Sequence, residues 1–145
     1  MKLWLLIISS CCIFVGCTSP KAGSSPSSDT TPNTSDTAQV AGEYVGNWTN
    51  VNGVTGTVRI SLKKPNNSPW QGKVSFTYEG DEAATTMKSV NVNGTQISMS
   101  YDYEIQGNQG AVGMTGKLAG NGLQGNYSIT KGDGSPGTWQ ATRVP

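Results

Sequence analysis

From Val40 to the end of the chain, apolar and polar side chains alternate almost one for one, and few folds other than an antiparallel sheet can use that pattern. Val58, Ile60 and Leu62 alternate with Thr57, Arg59, Ser61 and Lys63. Trp70, Gly72, Val74, Phe76 and Tyr78 form a second series with period two, and Ile97, Met99, Tyr101, Tyr103 and Ile105 a third. Leu123, Gly125, Tyr127 and Ile129 form a fourth. Successive side chains of a strand point to opposite faces, so each series is one apolar face of a half-buried strand. No window repeats at 3.6 residues, and the Ala, Leu, Glu and Lys density of a helix is missing.

Turn signals punctuate these runs. Asn93-Gly94 and Asn121-Gly122 suit tight hairpins, because both residues tolerate positive φ. Asn52-Gly53, Pro65 to Pro69, Glu79 to Glu82, Gly107 to Gly110 and Lys131 to Gly134 mark the other connections. Strands are expected at 43–49, 55–63, 70–78, 86–92, 95–105, 111–118, 122–130 and 137–143. The fold class is therefore all-β, an eight-stranded antiparallel meander that hides its edges by closing into a barrel. A two-sheet sandwich suits the strand number and length equally. A transmembrane barrel would also alternate, with its apolar face outward. Glycines two positions from bulky residues favour the sharp coiling of a small barrel: Gly46 beside Trp48, Gly72 beside Trp70, Gly116 beside Met114, Gly125 beside Tyr127.

The N-terminal 39 residues follow other rules. Lys2, the apolar run Leu3 to Ile8 and the small-residue stretch Val15-Gly16-Cys17 have the layout of a secretory signal. The run is shorter than the roughly 20 apolar residues that span a bilayer. Phe14-Val15-Gly16-Cys17 resembles the lipobox of bacterial lipoproteins, with Phe where Leu is usual. That resemblance implies removal of residues 1–16 and diacylation of Cys17, which anchors the protein to the membrane. Thr18 stands where Asp marks inner-membrane retention in that family, implying the outer membrane in a Gram-negative host and a domain in the periplasm or at the cell surface. Residues 17–39 then form a Ser/Thr/Pro-rich tether, expected to be disordered and to span roughly 25 Å, ahead of a domain at 40–145. Cys11 and Cys12 would leave with the signal, so the mature domain would carry no thiol.

Gly46-Asn47-Trp48 on the first strand and Arg143 on the last resemble the signature of the calycins, the group of lipocalins, avidins and fatty-acid-binding proteins. The resemblance implies that Trp48 closes one end of the barrel, with Arg143 packed across its ring. Residues 42 to 143 also resemble the small all-β module that precedes the catalytic domain of some secreted bacterial α/β-hydrolases. The parts that match are Gly46/Trp48, Val58/Ile60/Leu62, Trp70/Gly72/Val74, Ser89/Val90, Asn93/Gly94, Gly116/Leu118, Gly125/Tyr127 and Trp139/Arg143.

Catalytic chemistry has little to work with. The chain has no histidine, the commonest general base and metal ligand, so a non-enzymatic protein without a cofactor or metal is expected. Asp102 and Glu104 share a strand face, as a glycosidase pair might, but Ser98 and Ser100 on that face mark it as solvated. Glu79, Asp81 and Glu82 form an oxygen-rich turn of the kind that is usually only hydrated. Gly113 to Lys117 lacks the spacing of a phosphate loop. A net charge of +1 gathers no nucleic acid.

The informative residues are the inward tyrosines Tyr78, Tyr101, Tyr103 and Tyr127, whose hydroxyls need partners and which are the candidate ligand lining. Three functions follow: a binding or interaction module at the cell envelope, a carrier of a small apolar or amphipathic ligand, or an inhibitor of a secreted hydrolase. Roughly two dozen inward apolar residues, many aromatic, favour a filled interior with the outer face and loops as the working surface.

Overall fold

The computed structural model describes residues 39–145. The signal, Cys17 and the tether up to residue 38 lie outside the described residues. Nine strands follow in order: β1 Gly42–Asn50, β2 Thr55–Lys63, β3 Gln71–Tyr78, β4 Asp81–Thr86, β5 Ser89–Asn93, β6 Gln96–Ile105, β7 Asn108–Ala119, β8 Gly122–Lys131 and β9 Gly137–Arg143. All neighbours are antiparallel and belong to one sheet, in the order β4-β3-β2-β1-β9-β8-β7-β6-β5. The expected meander is present, and β1 and β9 pair along Tyr44↔Arg143 to Asn50↔Gly137. A single continuous sheet rules out the sandwich.

The strand number is nine where eight were expected, and the difference lies at the seam. Asp81–Thr86 is a strand that the sequence hides, because Asp, Glu and Ala are depleted in strands. Glu79 and Gly80 take positive φ (51° and 92°), the requirement of a tight I′ turn, and Tyr78 pairs directly with Asp81. Strand β4 runs along β3 and β5 runs along β6. At the junction Met87 N–H donates to Gly72 O at 2.9 Å, on the β3 side. Lys88 N–H donates to Ser100 O at 2.7 Å, on the β6 side. Residues 81–93 therefore behave as one bent strand whose halves serve opposite edges of the sheet. The sheet curls into a barrel-like form with β4 packed against β6. Two hairpins also slip by one residue from the expected turns: the loops are Gly94-Thr95 and Gly120-Asn121.

Burial follows the alternation. Tyr44, Ile60, Leu62, Leu123, Val40 and Val74 are each less than 2% exposed, and their burial stabilises by about 1.5–3 kcal/mol apiece. Among the described residues the large hydrophobics that face out are Val45, Val51 and Val144. The apolar face is thus turned inward, opposite to a lipid-facing barrel. Among the described residues the core cluster draws on side chains from Val40 to Ala141 and so spans the whole sheet.

One end of the curl is closed. Met87 lies over Gly72, where a Cβ would come within 3.2 Å of its Cγ and 3.0 Å of Val90 Cγ2. Tyr44 O–H donates to Val40 O at 2.8 Å, Arg143 Nη2 donates to the Tyr44 hydroxyl at 2.8 Å, and the same Nη2 bonds Gln39 O. The Arg143 guanidinium sits 5.2 Å from the centre of the Tyr44 ring. This corrects the calycin expectation. Arg143 closes the barrel on Tyr44, its register partner, while Trp48 pairs four residues further along with Trp139.

Candidate functional site

The other end is open, and the interior there is not filled. A cup of about 310 Å³ opens between the strands, which overturns the expected solid interior. Val58, Val112, Met114 and Trp139, all buried, line its depth. Tyr78, Tyr101, Tyr103 and Tyr127 all line it, joined by Trp48 and Phe76. Asn50, Asn52, Gln106, Asn108, Asp133 and Ser135 bring polar groups to the same cavity.

The two tryptophans explain the empty space. Trp48 and Trp139 face each other across the β1–β9 pair, and each indole lies along the sheet in place of pointing at the axis. Trp48 Nε1 donates to Thr77 O at 3.1 Å, across Gly56. Trp139 Nε1 donates to Asn126 O at 3.2 Å, and its ring passes over Gly116. A Cβ on Gly56 would stand 2.5 Å from Trp48 Nε1, and one on Gly116 2.7 Å from Trp139 Cζ2. Real Cβ atoms do not approach that closely, so these two glycines are what let the indoles lie flat against the wall.

The aromatic walls are ordered by mutual contact. Trp48 stacks on Tyr78 with ring centres 6.2 Å apart and meets Tyr127 edge-on at 6.1 Å and 88°. Phe76 meets Tyr103 edge-on at 5.9 Å and 85°, and Tyr101 at 6.1 Å. Such pairs contribute about 0.5–1.5 kcal/mol each beyond burial.

The rim is held by its own hydrogen bonds. Asn50 Oδ1 accepts from the backbone N–H of Asn52 and of Val54, both at 2.9 Å, and so fixes the β1–β2 loop. Asn52 Nδ2 donates to Ser135 Oγ at 2.8 Å, and Val51 N–H donates to Pro136 O at 2.9 Å, tying that loop to the β8–β9 loop. On the far side, Gln106 Nε2 donates to Asp81 Oδ2 at 2.7 Å.

Of the five tyrosine hydroxyls, that of Tyr44 alone is bonded to protein among the described residues. No buried side-chain polar atom there lacks a partner, so the cup phenols reach accessible space. Burial pushes the Tyr101 phenol far above its ordinary value, and the neighbouring Tyr127 and Tyr103 phenols add to the push. Burial also raises Tyr127. These two groups stay protonated at neutral pH and act as hydrogen-bond donors, not as bases.

The other candidates lie outside the cup. Asp102 pairs with Lys88 Nζ at 2.9 Å on the exposed face. Glu104 accepts from Gln109 Nε2 at 3.0 Å, also exposed. Neither is arranged around a cleft, as a glycosidase pair must be. Among the described residues no group of three or more His, Cys, Asp or Glu is placed to hold a metal ion, the Glu79–Glu82 turn included.

A second concavity, about 600 Å³, lies on the outer face of β1, β9, β8, β7 and β6. Its two register rows are amides and hydroxyls with one lysine: Asn47↔Gln140↔Gln124↔Lys117↔Gln96, and Thr49↔Thr138↔Asn126↔Thr115. Amides and hydroxyls dominate this lining, and its one aromatic, Trp139, is 2% exposed.

No family model, curated protein or solved structure matches the chain. The site is therefore read from its geometry alone. Sequence reasoning placed the four tyrosines on a common interior but missed Asn50 and the Asp133–Ser135 segment as rim groups. The Asn-Gly and Gly-Asp-Gly turn signals at 52–53 and 132–134 marked those loops without showing that they meet.

Proposed function

We propose that this protein is a lipid-anchored, non-enzymatic binding module of the bacterial cell envelope that takes one small amphipathic ligand into the aromatic cup. The observation that carries this reading is the open cavity of about 310 Å³ with an apolar depth, aromatic walls and a polar rim. That volume is at the lower bound for small-molecule sites and suits a ring or a short chain with one polar end. Buried side chains fix the depth, and the bonds between Asn52 and Ser135 and between Gln106 and Asp81 support the rim. The site therefore binds with little reorganisation, which limits the entropy lost on association.

Lipidation of Cys17 would hold the cup at the membrane surface, where amphipathic molecules concentrate, in the outer membrane of a Gram-negative host. The lipobox-like stretch supports that placement. The absence of histidine from the whole sequence and the outward position of Asp102 and Glu104 support a binding role over catalysis. An interaction or hydrolase-inhibitor role would have to use the outer concavity, whose lining is mostly amides and hydroxyls and whose one aromatic, Trp139, is 2% exposed, whereas accessible aromatic and arginine anchors dominate interfaces.

Titration of residues 39–145 with the neutral probe N-phenyl-1-naphthylamine tests the reading. Saturable one-to-one fluorescence enhancement is expected, weakened about tenfold or more by Val112→Phe, which places a ring in the depth of the cup. No saturable binding, or equal binding by a Val112→Phe protein with native circular dichroism, rejects it.

A further inference from the structure

The chemistry of the cup selects among amphipathic ligands. Seven aromatic side chains line it, and the perpendicular pairs Trp48/Tyr127 and Phe76/Tyr103 turn ring faces in several directions at once. Aromatic faces carry the negative part of the ring quadrupole, so a cage of them attracts positive charge. No lysine or arginine lines the cup, and the single ionisable carboxyl that does is Asp133. An anionic amphiphile such as a fatty acid would lose its hydration there and find no cation in return. A primary ammonium would bring three N–H donors to a depth formed by Val58, Val112 and Met114, which offers no strong acceptor. A methylated ammonium has no N–H to satisfy, and its charge is spread over methyl groups that pack against rings. Its polar tail would meet the amides and hydroxyl of Asn50, Asn52 and Ser135 at the rim.

We propose that the cup is an aromatic cage for a quaternary ammonium head group of the choline type. The proposal rests on the cup being a ligand site and adds the charge and methylation of what it takes.

A matched pair of probes separates the two claims. Choline and 3,3-dimethylbutan-1-ol share shape and hydroxyl and differ in the charge at the branched centre. Each is titrated into residues 39–145 while the tyrosine ring resonances are followed by NMR. Choline is expected to bind about tenfold or more tightly than the alcohol, because several ring faces act together. Tyr103→Phe keeps the ring face and should hold that preference to within about twofold, whereas Tyr103→Leu should lose most of it. Equal affinity for the two probes overturns the cation and leaves the cup as a ligand site. Choline failing to bind while N-phenyl-1-naphthylamine binds overturns the cation in the same way. If neither probe nor the naphthylamine shifts a cup tyrosine, both claims fall together.

Discussion

Gly56→Ala should destabilise the protein severely, and Gly113→Ala should not, although the two substitutions are chemically identical. At Gly56 the added Cβ runs into Thr77 O, and it would stand 2.5 Å from Trp48 Nε1 and 2.7 Å from Trp48 Cε2. Two of those obstacles are the partners of one hydrogen bond, Trp48 Nε1 to Thr77 O. Relief requires the indole to leave the wall or β3 to move away from β2. Overpacking of this kind costs about 1–3 kcal/mol, and loss of the hydrogen bond adds about 0.5–1.5 kcal/mol. Together they come to about 1.5–4.5 kcal/mol. At Gly113 the nearest atoms to an added Cβ are Thr130 Cγ2 at 3.4 Å and Ser128 Oγ at 3.6 Å, ordinary contact distances on the solvent side. There the change should be neutral or stabilising by up to about 1 kcal/mol, through the smaller entropy of the unfolded chain. Urea unfolding followed by far-ultraviolet circular dichroism reads both. With a slope of about 1.5 kcal/mol/M, Gly56→Ala should lower the midpoint by about 1–3 M. A midpoint for Gly56→Ala within about 0.3 M of the unmodified protein, or an equal loss in Gly113→Ala, would refute the close-approach argument.

Three further outcomes follow. Arg143→Ala should cost about 1–2 kcal/mol by removing the cation over Tyr44 and its hydrogen bonds to Tyr44 and Gln39, yet leave Trp48 fluorescence unchanged; a shift in that emission would restore the Arg143–Trp48 contact. The contribution of the buried tyrosines to folding stability should hold up to about pH 10 and be lost above it. The unfolded phenols ionise near 10.0 while Tyr101 and Tyr127 hold their protons in the fold, so Tyr101→Phe should blunt the fall seen by urea unfolding at alkaline pH. Radiolabelled palmitate should enter the full chain but not its Cys17→Ser variant; equal labelling would remove the lipid anchor.

The faces of the strands were readable because alternation has a fixed period, and that alone put Tyr78, Tyr101, Tyr103 and Tyr127 on one interior. Register was not readable. The pairing Tyr44↔Arg143 and Trp48↔Trp139 depends on where β9 meets β1, so Arg143 could be matched to the wrong ring by motif. The turn signal at Glu79 to Glu82 and a strand expected only from residue 86 leave Ala83 to Thr85 unassigned, because the propensity there is poor; Asp81–Thr86 is a strand because β3 gives it a partner. The cup escaped residue counting for a geometric reason. Counting assigns an indole its volume but not its direction, and Trp48 and Trp139 spend theirs along the wall over Gly56 and Gly116.

The claim at the centre is that the open end of the sheet is a ligand site. A crystal structure of residues 39–145 grown with N-phenyl-1-naphthylamine tests it most directly. Electron density for the probe among Trp48, Tyr103 and Tyr127, with its rings against theirs and the depth at Val112 and Met114 otherwise unchanged, is the expected result. A probe seated on the Asn47–Gln140 face, or an interior closed by the cup's own aromatic side chains with no probe inside, would contradict it.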